Sequence, residues 1–443
     1  MQSYFFKQAL LPNGWQNNVR VQTDSIGRFS HVDIDSTAKH NDLQLDCVIP
    51  AMPNCHSHVF QRAMAGLTEY KTAENDSFWS WRDLMYKTAN QISAEQLYHI
   101  ARYCYAEMLE AGYSSVCEFH YIHRDLTDKQ NCESMSLAVI NAAHDVGIQL
   151  TLLPVLYTQA HIDGSPLSEL QQRFKMSTDE YISLYQSLEK RLFPEQNMGI
   201  CFHSLRAVSL DKMKTVLNAL NNGQPIHIHI AEQEAEIQQV LKHTGKRPVE
   251  LLFENFDVNE NWCLVHATHL NDDEIKMISQ SKTIAGLCPM TEANLGDGVF
   301  PLKEFIQENG SYAIGSDSHI LINPFQEMQI LEYSQRLIRQ QRVIASTQQT
   351  QNVGTLLWND SVSGGAKVCQ LPVAGLKVGQ MANWISLDTQ NPILTSLNGA
   401  LCLDSLIFAN NFIGTDTYAK GSKIAQFNQN IVQNYKNTLK SLR

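Results

Sequence analysis

PIHIHIAE (225–232) is a short run of apolar and β-branched residues whose polar members, His227, His229 and Glu232, gather toward its end. Runs of this kind recur along the chain. LDCVIPAMPNCHSH (45–58), SSVCEFH (114–120), IQLTLLPVLY (148–157) and MGICFHSLR (198–206) precede it. WCLVHATHL (262–270), KTIAGLCPM (282–290) and SYAIGSDSH (311–319) follow it. Between them lie segments such as ISAEQLYHIARYCYAEMLEAG (92–112) and LDKMKTVLNALNNG (210–223), which carry helical periodicity and end at glycine. Eight alternations of strand and helix predict an α/β chain whose residues 46–370 form a (β/α)₈ barrel.

The flanks read differently. Residues 1–45 and 371–425 hold short segments of strand character with turn residues, ANWISLD (382–388) and SLIFAN (405–410) among them. They predict a small β-domain assembled from both ends of the chain, with a helical tail over 426–443. A glutamine-rich patch at 335–351 keeps helical spacing.

Bulk properties narrow the function. The 443 residues suffice for a barrel and a satellite domain, and 43% hydrophobic with 18% charged residues is an ordinary soluble balance. A formal net charge of −11 argues against a nucleic-acid partner, which needs a cationic surface. The first residues, MQSYFFKQALLPNGW, do not read as a signal peptide, and no apolar stretch is long enough for a membrane span. The ten cysteines are scattered without a CxxC pair. A cytoplasmic, reducing location is expected.

Metal-binding residues fall at the ends of the predicted strands, the face that carries catalysis in such barrels. The first run ends in His56-Ser57-His58, whose imidazoles project to the same side of a strand. The fifth supplies His229, the sixth His266 and the eighth Asp317. Any one of these alone would be read as a satisfied core residue; together, at the ends of strands 1, 5, 6 and 8, they suit zinc. His227 shares a face with His229, and the residue nearer the strand end is the preferred ligand, leaving His227 a layer deeper.

At these residues the chain resembles the amidohydrolase superfamily, in its mononuclear zinc deaminase branch. The segments that carry the resemblance include PNCHSHVFQRAMAGLTE (53–69), FHSLRAV (202–208), PIHIHIAEQ (225–233), LVHATHL (264–270), CPMTEANLGDG (288–298), GSDSH (315–319) and LEYSQRL (331–337). The resemblance implies one zinc per chain, a β-sandwich made from the two chain ends, and a homodimer. It also implies hydrolysis of N-formimidoyl-L-glutamate to N-formyl-L-glutamate and ammonia, in histidine degradation. Zinc held by His56, His58, His229 and Asp317 would bring the pKa of a water toward roughly 7. An amide anion cannot leave unaided, so a general acid is required. Glu232, three residues past His229, is placed for that task, and His266 is the second acid/base or water-orienting group. Binuclear relatives use a lysine at the end of strand 4, where this chain has Cys201-Phe202-His203-Ser204 instead.

A dicarboxylate substrate needs guanidinium groups at the far end of the pocket, and Arg206 and Arg82 are the candidates. Gln61, Tyr121 and His203 match positions that touch substrate in the family. Met290, Gln329 and Asn383 depart from the family pattern and bring fine substrate positioning into question. The rival readings are a zinc deaminase of a nucleobase or related ring amidine, stacking on Phe60, Trp79 or Trp81, and a non-catalytic zinc scaffold. Structural zinc would need neither Glu232 nor His266.

Overall fold

Parallel strands sandwiched between a barrel interior and an outer ring of helices are buried on both sides, which is why they read as continuous apolar runs. The structure, a computed structural model, describes residues 2–70, 78–128, 130–409, 414–425 and 428–443. Its barrel strands are Met52–Ser57, Tyr113–His120, Gln149–Leu156, Ile200–Ser204, Ile226–Ile230, Trp262–His266, Ile284–Leu287 and Ser311–Ile314. They pair in parallel in chain order, with the short strand Asn197–Met198 added beside the third. Every residue of Tyr113–His120 and Gln149–Leu156 is buried. The ring closes where the residues after the eighth strand meet the first: the Asp317 N–H donates to the His56 carbonyl at 3.0 Å, and the His58 N–H donates to the Asp317 carbonyl at 3.0 Å.

The intervening segments form the expected helices. Ala94–Ala111 starts at a capping box of Ser93 and Gln96 and stops at Gly112, whose φ of 104° suits glycine. Leu210–Leu220 lies within the second quoted segment. A long helix after the eighth strand, Val353–Cys369, closes the barrel floor with its C-terminal end. The Val368 carbonyl lies 3.2 Å from His227 Nε2, and the Cys369 carbonyl accepts from Thr151 Oγ1 at 2.7 Å. His227 therefore sits on the floor side of the barrel and faces away from the His229 end.

A second sheet joins the two chain ends. From edge to edge its strands are Ser422–Lys423, Thr415–Ala419, Trp384–Leu387, Leu43–Pro50, Ser3–Leu11, Gly14–Thr23 and Phe29–Asp33. The sheet curls on itself, since the rings of Phe29 and Trp384 come within 5.9 Å although three strands lie between theirs. Tyr4, Phe6, Val48, Trp384 and Tyr418 fill the resulting core. Among the described residues no helix is long and apolar enough to cross a membrane.

Three local expectations change. The run 45–58 is two strands: Leu43–Pro50 belongs to the terminal sheet and only Met52–Ser57 to the barrel, so the sheet boundary falls at Ala51. Pro50 and Pro53 bracket the division, but the residues on both sides share one apolar composition, so periodicity does not separate them. SLIFAN lies mostly in a helix, Gly399–Phe408, started by the Asn398 side chain accepting from Leu401 N–H at 3.1 Å; Asn410 lies outside the described residues. Short apolar runs do not distinguish strand from buried helix. In the glutamine-rich patch the helix Pro324–Arg339 ends at Gln340, whose φ of 52° is left-handed.

The floor helix tests how tightly this arrangement is built. A Cβ on Gly364 would lie 1.9 Å from the Tyr312 carbonyl oxygen of the eighth strand. Gly364→Ala is expected to destabilise the fold by about 3 kcal/mol, measured from the urea midpoint. A loss well under 1 kcal/mol would show that the helix shifts outward at little cost.

Candidate metal centre

The side chains at the strand ends converge. His56 Nε2 lies 3.2 Å from His58 Nε2 and 3.1 Å from His229 Nε2, and both His56 and His58 Nε2 lie 3.4 Å from Asp317 Oδ1. His58 Nδ1 faces the Phe119 carbonyl at 2.8 Å and His229 Nδ1 the His203 carbonyl at 3.1 Å. A carbonyl only accepts, so both Nδ1 atoms carry hydrogen and both Nε2 atoms present lone pairs. Burial drives His56, His58 and His229 toward the neutral form, His58 down to about 3. Burial opposes the Asp317 charge, yet His56, His58 and His266 hold its carboxyl below the usual range. Converging lone pairs and a carboxylate repel one another unless a cation lies between them. Tetrahedral bonds of about 2.0–2.1 Å separate donors by about 3.3–3.4 Å. The observed spacings match, and the residues fit a tetrahedral metal ion.

Backbone geometry aims these groups. Ala231, His266 and Asp317 have φ of 52°, 68° and 45°, left-handed values that non-glycine residues adopt only under constraint. Asn54 ties the first strand to the eighth, its Oδ1 accepting from Ser316 N–H at 3.1 Å. Beneath the site, buried Glu118 accepts from Val59 N–H at 2.9 Å and from the Ser57 hydroxyl. Burial raises the Glu118 carboxyl to about 8 against those hydrogen bonds.

Beside the cluster, His266 Nε2 lies 3.7 Å from Glu232 Oε1 and 3.9 Å from Asp317 Oδ2. Burial works against charge on His266, but Glu232, Glu292 and Asp317 together lift it to about 10. Burial also raises the Glu232 carboxyl, with His266 opposing. His58, His229, Asp317, Glu232 and His266 line one cavity together with Arg82, Arg206, Gln61, Tyr121 and His203. The Gln61 amide donates to the Tyr121 hydroxyl at 2.9 Å, and its buried Oε1 has no hydrogen-bond partner among the described residues. Arg206 Nη1 donates to Tyr157 OH at 3.3 Å and to the Ala160 carbonyl at 3.2 Å. Arg82 lies over the Tyr86 ring, 5.5 Å from its centroid.

All eleven residues singled out in the sequence thus meet at one end of the barrel. Three others were missed. Glu292 contacts His266 Nδ1 at 3.4 Å, and Asp297 joins Glu232 and His266 in a further group of metal-capable donors, beside those of His56, His58 and His229 and of His56, His266 and Asp317. Burial, with Glu232 adding to it, raises the Asp297 carboxyl to about 9. Glu236 accepts the Glu232 N–H at 3.0 Å. Their signal was position alone, in CPMTEANLGDG and just after PIHIHIAE. The departures at 290, 329 and 383 do not line the cavity. Gln329 donates to the Ile407 carbonyl at 2.9 Å and Asn383 to Gln149 at 3.0 Å, both structural ties.

The amidohydrolase family pattern matches residues 47–423, and the chain belongs to the amidohydrolase family. It is 43% identical over 412 residues to formimidoylglutamate deiminase of Pseudomonas aeruginosa, covering 92% of this chain and 91% of that one. With this family and this relative, the chain is a hydrolase acting on C–N bonds. The crystal structure of an amidohydrolase from Brucella melitensis superposes over the full length of both chains with a TM-score of 0.95 at 38% identity. An adenosine deaminase from Xanthomonas campestris with bound zinc shares the fold, with a TM-score of 0.82 at 17% identity.

Removing one donor should remove the ion. His58→Ala and His229→Ala are each expected to lose most bound metal in elemental analysis while far-UV circular dichroism stays that of the wild type. Full metal retention by both variants would move the centre to other residues.

Proposed function

We propose that the chain is a zinc-dependent deiminase that hydrolyses N-formimidoyl-L-glutamate to N-formyl-L-glutamate and ammonia, a step in histidine degradation. One observation carries this reading: a single cavity is lined both by the imidazole and carboxylate cluster with Glu232 and by the guanidinium-bearing Arg82 and Arg206. The 43% identity to a formimidoylglutamate deiminase supports it.

His56, His58, His229 and Asp317 would hold the zinc. Bound there, zinc supplies a Lewis acid that brings the pKa of water down to about 7. The chain's own residues do the rest. Arg206 and Arg82 bind the two substrate carboxylates and so set the formimidoyl carbon at the cluster. Gln61, Tyr121 and His203 orient the amidine by hydrogen bonds. Water adds at the formimidoyl carbon, giving a tetrahedral carbon that bears both nitrogens. Glu232 takes the first water proton and delivers it to the terminal nitrogen; the remaining hydroxyl proton follows by the same carboxyl as the carbonyl forms, so that the nitrogen carries three hydrogens when its bond to carbon breaks and ammonia leaves. His266, held between carboxylates, donates a hydrogen bond to the attacking oxygen. The rival nucleobase reading loses ground: Phe60 is buried against Tyr121 and does not line the cavity, and a neutral ring has no use for two arginines. Trp81 does line it, while the Trp79 side chain lies outside the described residues.

Glu232→Gln is expected to keep its metal and lose on the order of 10² to 10⁴ in kcat. An almost unchanged rate would place the proton transfer elsewhere.

Arg206→Met separates this substrate from its rivals. Stranding a buried carboxylate costs roughly 2 to 5 kcal/mol, so kcat/KM for formimidoylglutamate should fall by that much with metal content unchanged. Slow turnover of a plain formamidine, which has no carboxylate, should barely change. Equal losses on both substrates, or faster turnover of a nucleobase by the wild type, would overturn the assignment.

A further inference from the structure

His266 is approached from both ring nitrogens. Nε2 faces Glu232 and Asp317, and Nδ1 lies 3.4 Å from Glu292 Oε1. His266 is 1% exposed and Glu292 3%, so bulk water does not stand in for either partner. The same Glu292 oxygen accepts the Cys288 N–H at 2.9 Å. Its helix, Pro289–Leu295, is pinned in turn: the Met290 N–H donates to Glu327 at 2.8 Å, and Thr291 Oγ1 lies 3.0 Å from Ser318 Oγ. Glu292 is therefore a fixed acceptor on the far side of a ring that its backbone, at φ 68°, already holds in a constrained direction.

A carboxylate oxygen only accepts, so the nitrogen facing it must carry hydrogen. We propose that Glu292 is a positioning residue for the hydrolytic reaction, anchoring the His266 ring through Nδ1–H so that Nε2 is presented to Glu232, Asp317 and the reacting atoms. Glu292 does not line the substrate cavity and is no member of the metal-capable groups; it reaches both only through His266. A carboxylate serving only to cap its short helix would need no histidine at its shared oxygen. The arrangement matches the way outer partners fix the tautomer and direction of working histidines. The inference rests on the reading above only in that His266 serves the chemistry.

A double-mutant cycle tests it. Glu292→Ala is expected to keep its metal and lower kcat about 10- to 100-fold, with KM within about twofold of the wild type. Glu292→Gln, which retains an accepting oxygen, should recover most of the rate. On a His266→Ala background, Glu292→Ala should add almost nothing, because residues acting through one another are not additive. A full additional loss on that background, a loss confined to KM, or no rescue by glutamine would overturn the proposal. Should Glu292→Ala fail to fold, Glu292→Met fills the space without an acceptor and carries the same cycle. The cycle uses whichever amidine the wild type hydrolyses, so rejection of formimidoylglutamate would sink that assignment and leave this inference to be judged on its own.

Discussion

The barrel is closed by the backbone of the same residues whose side chains converge at its mouth. His56, His58 and Asp317 exchange the hydrogen bonds that join the eighth strand to the first, and their side chains point to one spot. Closure and site assembly are thus one event. If the first and last strands slipped by one residue, every side chain on them would move to the opposite face. Asn54, bridging to Ser316, guards that register from one layer below. The left-handed backbone at His266 and Asp317 is strain that the closed ring can impose and an open sheet could not.

Around that seam the cavity gathers groups of both charges. Neutral imidazoles and carboxylates stand together, with His266 compressed among acidic groups, and the guanidinium groups that line the same cavity rest against Tyr157 and Tyr86. A chain of net charge −11 therefore keeps a local cationic wall for an anionic ligand, shielded by low-dielectric surroundings. Tyr157 belongs to both sides of this design, since it receives Arg206 Nη1 and also the Gln171 amide at 2.9 Å. That contact fixes the direction of the guanidinium before any ligand arrives.

Much of this was legible in the chain. The eight barrel strands are buried on both faces and so stand out as apolar runs, and the histidines at their ends are conspicuous against that background. Gln61, Tyr121 and His203 were reachable only through the family resemblance, because a glutamine or tyrosine carries no spacing signature. Glu292, Asp297 and Glu236 were illegible for a related reason. They lie on helices and loops whose direction depends on the closed ring, and an acidic residue there reads as solvated surface. The division of the run 45–58 was hidden because both sheets demand the same apolar composition.

That division has a further meaning. The strand Leu43–Pro50 is separated from the first barrel strand by Ala51 alone, and in the terminal sheet it lies between Ser3–Leu11 and Trp384–Leu387. The Trp358 indole, 308 residues downstream, also donates to the Pro50 carbonyl. During synthesis on the ribosome, Leu43–Pro50 waits with one open edge until Trp384–Leu387 has emerged. Contacts of such long sequence separation form slowly and leave aggregation-prone intermediates. The junction at Ala51 is thus a timing element as well as a boundary: the segment on either side of it is completed only by partners made some 308 residues later.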